Sequence, residues 1–537
     1  MTAFSVTVCA ILFSTWALYK VLTFSRREKN LPPGPPTIPV LGNAHLIPSK
    51  GLHMKFKEWA DKYGSIYSLK IGRTTMIVLC DREAVFELLN RKGAQYNNRP
   101  PDKQVDAALN HEILSMMYEG PLWRAQRKIF STYFSPTNLD TVLQPVQVAE
   151  ISQLMADLLT TPQSFHKSVK RTIASISTII LYGHRAPDME SFWGSAVYRS
   201  VDEVNKAITP GTYFPSNHFP LLTLLPDRWN MPLQQAKESY QNISSIWAEA
   251  RERVEERRRT GDKRESLMDQ ILDEDIVPDI NLSYSQMNNF FGTIQMGASD
   301  STSGHTLTSI LFLAQNPHCQ EKAREELHKV CGLERLPQWS DFDKLPYISC
   351  IVKEGLRMRA AIPTGGPHYS NQDNWYKGML IPKDSVIMVP PTAINFDELY
   401  NASPSQYNPD RFLKIADKLA PELASSASWV DRDHYTYGVG RRICPGMHLA
   451  ERNQWRIMAQ LLWAFRIERD AELDTSYDMY DEGLLHFVKD FKVRSFAGGT
   501  DDIEREENAP GDAIELMLFL QGAVLALLLR LLVVLVL

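Results

Sequence analysis

The stretch HYTYGVGRRICPGMHLAERN, residues 434–453, decides how this chain is read. A lone cysteine is ordinarily a small buried hydrophobe. Cys444 has surroundings that ask for more. Gly438 and Gly440 permit a tight bulge and close backbone approach, and Pro445 and Gly446 shape the way into the helical run MHLAERNQWRIMAQLLWAF. A cysteine just before a helix N-terminus meets the positive end of the helix dipole and free backbone N–H donors, both of which favour the thiolate. The six cysteines (Cys9, Cys80, Cys319, Cys331, Cys350, Cys444) are scattered without CxxC or close pairing. That pattern fits neither a disulfide framework nor a zinc site, and it points to a reducing compartment. A single sulfur ligand suits the fifth position of a haem iron better than a zinc finger. Arg442, two residues before the sulfur, can neutralise an acidic edge of such a cofactor.

Around this stretch the chain is globular in composition: 537 residues, 44% hydrophobic and 23% charged, enough to bury a large core. The net charge of -5 and the lack of a basic patch interleaved with aromatics exclude nucleic acid as a partner. Residues 1–25 read as an N-terminal membrane anchor, because TAFSVTVCAILFSTWALY carries no charge before Lys20 and has about the 20 residues needed to cross a bilayer. No small-residue cleavage site precedes the basic cluster, so a removed signal peptide fits less well. Arg26, Arg27 and Lys29 follow the span and orient the remainder to the cytosol. Residues 26–39, a basic and Pro-rich segment containing LPPGPPTIP, read as a semi-rigid hinge. Residues 40–497 contain no repeat or low-complexity tract and read as one domain. Helical runs such as LHMKFKEWADKYG, EAVFELLNRKG, ISSIWAEARERVEERRR and CQEKAREELHKVCG outnumber the strand-like IYSLKIG, TTMIVLC and SVIMVPP. The fold class is therefore mainly α with a smaller β portion, α+β. Residues 498–513 read as an acidic linker. Residues 514–537 read as an apolar tail, a second membrane segment, an interfacial helix or a translated error at the end of the gene.

The segment YGVGRRICPG resembles the haem-binding signature of the cytochrome P-450 family, Phe-x-x-Gly-x-Arg-x-Cys-x-Gly, with Tyr437 in place of the phenylalanine. Three further motifs follow the family's order, and the resemblance covers residues 33–497. KEGLR supplies Glu354 and Arg357, and YNPDRF supplies Arg411. In the family such residues make a buried structural triad. LWRAQRKIF places Trp123 and Arg127 at i,i+4, similar to the pair that holds a haem propionate in relatives. His368, in GGPHYS, stands where relatives often have another propionate partner.

The fourth motif, GASDSTSGHT at residues 297–306, interrupts an otherwise apolar helix with poor helix formers. It resembles the family's Ala/Gly-Gly-x-Asp/Glu-Thr-Thr/Ser segment over the distal face of haem, with Ser301 where threonine is usual and Ala298 where glycine is usual. A hydroxyl at Ser301 can bond the carbonyl of Gly297 one turn back and loosen the helix ladder. Asp300 beside it offers a titratable group for proton delivery, so Asp300 and Ser301 are the catalytic candidates. Phe291, Ile294, Gly297 and Ala298 are the candidate pocket lining on the same helix, preceded by Phe290. The loop at residues 102–120 and the segment at residues 209–226 correspond to pocket and access regions.

The resemblance implies a haem-thiolate monooxygenase with haem b held by Cys444. The substrate is expected to be a small, largely apolar or aromatic molecule, in the manner of fungal secondary-metabolism members. No flavin or nicotinamide domain is present, so electrons are expected from NADPH through a separate membrane-bound NADPH-cytochrome P-450 reductase, with a cytochrome b-type donor as a second source. The expected location is the endoplasmic reticulum membrane, with the catalytic domain facing the cytosol. Two other readings stay open: an oxygen-independent haem-thiolate isomerase or dehydratase, and a haem-binding protein without catalysis.

Overall fold

The computed structural model describes residues 3–209, 219, 226–333 and 335–498. Most of the expected access segment at 209–226, the linker beyond residue 498 and the whole apolar tail at 514–537 lie outside the described residues. The principal helices are α1 (Ala3–Thr23), α2 (Leu52–Tyr63), α3 (Pro121–Tyr133), α4 (Gln144–Thr160), α5 (Phe165–Tyr182) and α6 (Phe192–Ile208). They continue as α7 (Met231–Arg259), α8 (Tyr284–Gln315), α9 (Pro317–Cys331), α10 (Pro346–Met358) and α11 (Met447–Ala464).

α8 is the axis of the helical part, packed against α5, α6, α7, α10 and α11. A capping box starts it: the Gln286 N–H donates to Ser283 Oγ at 3.1 Å, and the Ser283 N–H donates to Gln286 Oε1 at 3.0 Å. Phe290, Phe291, Ile294, Leu307, Ile310, Leu311 and Leu313 are buried on all sides of it, as a helix enclosed by other helices requires. The polar stretch at 297–306 does not break the helix. Three of its hydroxyls back-bond, from Ser301 Oγ to the Gly297 carbonyl at 2.8 Å, from Ser303 Oγ to the Asp300 carbonyl at 3.1 Å and from Thr306 Oγ1 to the Thr302 carbonyl at 2.9 Å.

The strand-like runs become β1 (Ile66–Ile71), β2 (Thr74–Leu79) and, after β3 (His368–Tyr369), β4 (Asn374–Tyr376) and β5 (Met379–Ile381), β6 (Val386–Met388). These build a sheet of order β1-β2-β6-β3, in which β2 and β6 are parallel and the other pairs antiparallel. A smaller core lies between this sheet and α2, where Phe56 and Trp59 meet Tyr67, Ile77 and Ile387. β7 (Phe465–Glu468) pairs antiparallel with β8 (Ser495–Gly498) after α11. The run EAVFELLNRKG is only partly α-helical: a short turn at Arg82–Val85 passes into a π-helix at Phe86–Arg91. The wider π turn brings the Leu89 carbonyl toward Gly440, where a Cβ would sit 2.2 Å from it.

Among the described residues no helix is long and apolar enough to cross a membrane, so nothing in the fold marks α1 as a transmembrane span. α1 is nevertheless unpacked, with Ile11, Leu12, Phe13, Trp16, Leu18 and Leu22 exposed. The segment after it is fastened to β1. Arg27 donates to the Ser68 carbonyl at 3.0 Å, to Ser68 Oγ at 2.6 Å and to the Pro32 carbonyl at 2.6 Å. Lys70 bonds Glu28 at 2.5 Å, and Asn43 Nδ2 donates to the Pro36 carbonyl at 2.9 Å.

Candidate functional site

Cys444 lies between a short 3-10 turn (Gly440–Arg442) and the start of α11. The loop leading to it is held at nearly every residue. The Cys444 N–H donates to the Tyr437 carbonyl at 2.8 Å, the Gly440 N–H to Asn90 Oδ1 at 3.2 Å, and Arg432 Nη2 to the Gly438 carbonyl at 2.7 Å. Gly438 and Gly440 have φ of 77° and 59°, the left-handed region that glycine adopts without cost. Burial pushes the Cys444 thiol up, and it is opposed by the N–H groups of Gly446 and Met447 and by the Arg127 charge. A bound metal cation resolves that contest for the thiolate.

Three guanidiniums cluster here: Arg127, whose charge acts on the Cys444 thiol, and Arg442 and Arg99, which lie within reach of Arg127 and of each other. α3 carries Trp123 and Arg127, and two of the cations approach the Trp123 ring: Arg442 Cζ is 4.2 Å from its centroid and Arg127 Cζ 5.7 Å. Arg127 Nη2 donates to the Ile443 carbonyl, and Arg442 Nε to the Asn97 carbonyl at 2.7 Å. The third is Arg99, which sequence reading missed. Its Nε donates to Ser115 at 2.8 Å and its Nη1 to Pro367, which ties together two loops far apart in the chain. Burial and the neighbouring arginines bring Arg442 down to about 9 and Arg99 down to about 10. His368, at the start of β3, faces the Tyr96 carbonyl through Nδ1 at 3.1 Å. Burial and the charges of Arg99 and Arg442 push it down to about 3, so it is neutral.

Arg442 Nη1 and Nη2 are buried without a hydrogen-bond partner. A cluster of cations with free donors and mutual repulsion is a site for a multiply charged anion. The two propionates of haem satisfy that requirement, with one thiolate close by for the iron. The residues present fit the group: Cys444 for the metal, and Arg442, Arg127 and Arg99 for the carboxylates, with Trp123 as the platform that spaces two of them.

The structural pairing is buried and closed. Arg357 Nε is 2.6 Å from Glu354 Oε2, Arg411 Nε is 3.0 Å from the same oxygen, and the Asn408 N–H donates to Glu354 Oε1 at 2.8 Å. Asn395, another residue without a motif, connects this cluster to the cysteine loop. Its Oδ1 accepts the Tyr435 N–H at 3.1 Å and its Nδ2 donates to the Arg357 carbonyl at 3.2 Å.

On α8, Gly297 and Ser301 share one face a turn apart, and Thr293 lies a further turn back on the same line. A Cβ added at Gly297 would meet nothing within 4 Å. Ala298 is half-buried next to them. Ile294 is buried, and Phe291 packs its ring 5.5 Å from Tyr182 of α5 and 5.9 Å from Phe290. Asp300, one residue before the half-buried Ser301, is itself buried. Burial pushes its carboxyl up to about 7, against the Lys170 charge and together with those of Asp202 and Asp481.

A family model described as Cytochrome P450 matches residues 32–490. The chain is 34% identical over 499 residues to the cytochrome P450 monooxygenase patH of Aspergillus clavatus, across 91% of this chain and 93% of that protein. It is 35% identical over 497 residues to the monooxygenase atE of Aspergillus terreus, across 91% of both. To acuD of Aspergillus aculeatus it is 35% identical over 499 residues, across 91% of this chain and 92% of that protein.

Proposed function

The chain belongs to the cytochrome P450 family and is a monooxygenase, and from that premise we propose that it hydroxylates a small apolar or aromatic intermediate of fungal secondary metabolism. The observation that carries the site is the pair of buried, partnerless Nη atoms of Arg442, whose guanidinium carbon lies 4.2 Å from the Trp123 ring centroid, two residues before Cys444. Haem, when bound, supplies the iron at which O2 is activated and its O–O bond split. Cys444 provides the thiolate that ligates it. Arg442, Arg127 and Arg99 would neutralise the propionates, and His368, kept uncharged, adds no further positive charge beside Arg99 and Arg442.

Asp300 and Ser301 hold and pass protons on the distal side. A carboxyl near 7 is half protonated at neutral pH, the condition under which a group both gives and regains a proton efficiently. The Ser301 hydroxyl commits its hydrogen to the Gly297 carbonyl and leaves its lone pairs to receive one. Buried Phe290, Phe291 and Ile294 precede this point on the helix and support an apolar cavity.

Electrons come from NADPH through a separate reductase. α1 fastens the domain to the endoplasmic reticulum membrane through its exposed Ile11, Leu12, Phe13 and Trp16. The test is oxidation of a candidate panel in membranes supplied with reductase. Product formation should require both O2 and NADPH, and Cys444→Ser should abolish it together with the thiolate-type spectrum of the reduced carbon monoxide complex. Product formed without O2 would point to an isomerase or dehydratase. Haem binding with no product would leave only a carrier.

A further inference from the structure

α10 places two adjacent charged residues, Lys353 and Glu354, completely out of solvent, at 1% and 0% exposure. Glu354 belongs to the arginine pairing described above. Lys353 points elsewhere: its Nζ is 3.2 Å from Asp433 Oδ2 and 3.5 Å from Glu451 Oε1, and no more than 6% of any of the three side chains is exposed. Asp433 lies eleven residues before Cys444 in sequence and Glu451 seven after it. One buried ammonium therefore spans the chain that leads into the cysteine loop and the chain that leaves it.

Both anchors are themselves fixed. Asp433 Oδ1 accepts the His434 N–H at 2.7 Å, and the two Glu451 oxygens accept the Ala420 N–H at 3.0 and 2.9 Å. Between the anchors, the His434 ring accepts the Thr436 N–H at Nδ1, and Thr436 Oγ1 donates to the Leu356 carbonyl of α10 at 2.6 Å. The carbonyl of Tyr437 then receives the Cys444 N–H. Displacement of Asp433 is thus passed along residues 434–437 to the Cys444 N–H, and displacement of Glu451 along α11, which begins at Met447 just after Cys444. A buried pair broken on one side leaves an uncompensated charge, so Lys353 cannot withdraw without moving both flanks.

We propose that Lys353 is a positioning residue for the axial sulfur, clamping Asp433 and Glu451 so that the Cys444 loop keeps the thiolate on the iron when the iron is reduced. The inference rests on the haem-thiolate reading of the site. Charge balance supports it: burial works against the Asp433 carboxylate, yet His434, Lys353 and Arg432 hold it at about 2, while burial pushes Glu451 up to about 7. The ammonium thus has one permanent partner and one adjustable one. His434 itself is pushed down to about 4 by burial and stays neutral.

The experiment uses the full-length holoprotein and follows the reduced carbon monoxide complex over time, normalised to bound haem. Lys353→Met should bind haem but lose the thiolate-type band about tenfold faster than the parent, as expected when one buried charged contact is removed. Lys353→Arg should recover much of the difference. If Lys353→Met yields no holoprotein, Glu451→Gln, which keeps the Lys353–Asp433 pair, should still accelerate the decay. A decay per bound haem equal to the parent's, with only haem content or Tm lowered, would make the cluster purely a folding element and overturn the proposal. A parent protein lacking the thiolate-type band would instead overturn the haem-thiolate reading itself.

Discussion

Asp300 and Ser301 are neighbours in sequence, and their side chains project about 100° apart around α8. Asp300 carries a cost that is measurable apart from activity. Its carboxyl titrates near 7 in the folded protein against the ordinary carboxylate range in the unfolded chain. Between about pH 4 and 7 the unfolded chain releases this proton and the folded one retains it, so stability falls as pH rises through that window. Asp300→Asn should therefore be neutral near pH 4 and stabilising by up to about 4 kcal/mol at pH 7 and above, read from denaturant unfolding at each pH. A pH-independent difference would mean that the group is not protonated in the folded state. Ser301→Ala removes the back-bond to Gly297, and peroxide released per product should rise severalfold, while Ser301→Thr should couple at least as well as the parent. Residues with a chemical motif, such as Cys444, Arg442 and Glu354, were legible in sequence. Arg99 and Asn395 were not, because each acts through backbone carbonyls hundreds of positions away or across a loop, and such contacts leave no spacing pattern.

At the scale of elements, α8 shows how one helix uses glycine for opposite purposes. A Cβ at Gly304 would lie 2.2 Å from Phe487 Cδ1, and one at Gly292 would lie 2.3 Å from Trp247 Nε1. Both are close approaches that lock α8 to its neighbours. Gly297 has open space instead. Gly304→Ala should destabilise by about 1–3 kcal/mol through overpacking, less the propensity gain. Gly297→Ala should stabilise by about 1 kcal/mol and slow turnover by filling the open face beside Ser301. Thermal unfolding of the two variants separates them by sign, and equal shifts would refute the assignment. Both the poor helix residues at 297–306 and the one long helix that carries them were recognisable in sequence; of the back-bonds, that of Ser301 was expected and those of Ser303 and Thr306 were not. Likewise the π-helix at Phe86–Arg91 reads as ordinary helix, since the close approach of its Leu89 carbonyl to Gly440 involves a distant loop and leaves no spacing pattern.

The whole molecule joins a helical core around α8 to a smaller core between α2 and the main sheet. The α+β class followed from the balance of periodicities. The parallel placement of β6 beside β2 did not, because three-residue strands carry no pairing information. The Pro-rich segment reads from composition as a spacer, whereas its neighbours fasten it to β1 through Arg27, Glu28 and Asn43. Arg27→Ala should raise the rate of limited proteolysis within residues 26–39 about tenfold, the effect of losing charged hydrogen bonds on local opening. An unchanged rate would show that the prolines alone hold it.

That fastening alters what a tether does. A domain on a loose leash samples all headings above a surface, and each productive encounter must select one of them. With α1 as the tether proposed above, the residues that follow it are ordered against the sheet when the chain folds, so their share of orientational entropy is surrendered once, in folding, and not again at each encounter with the proposed electron donor.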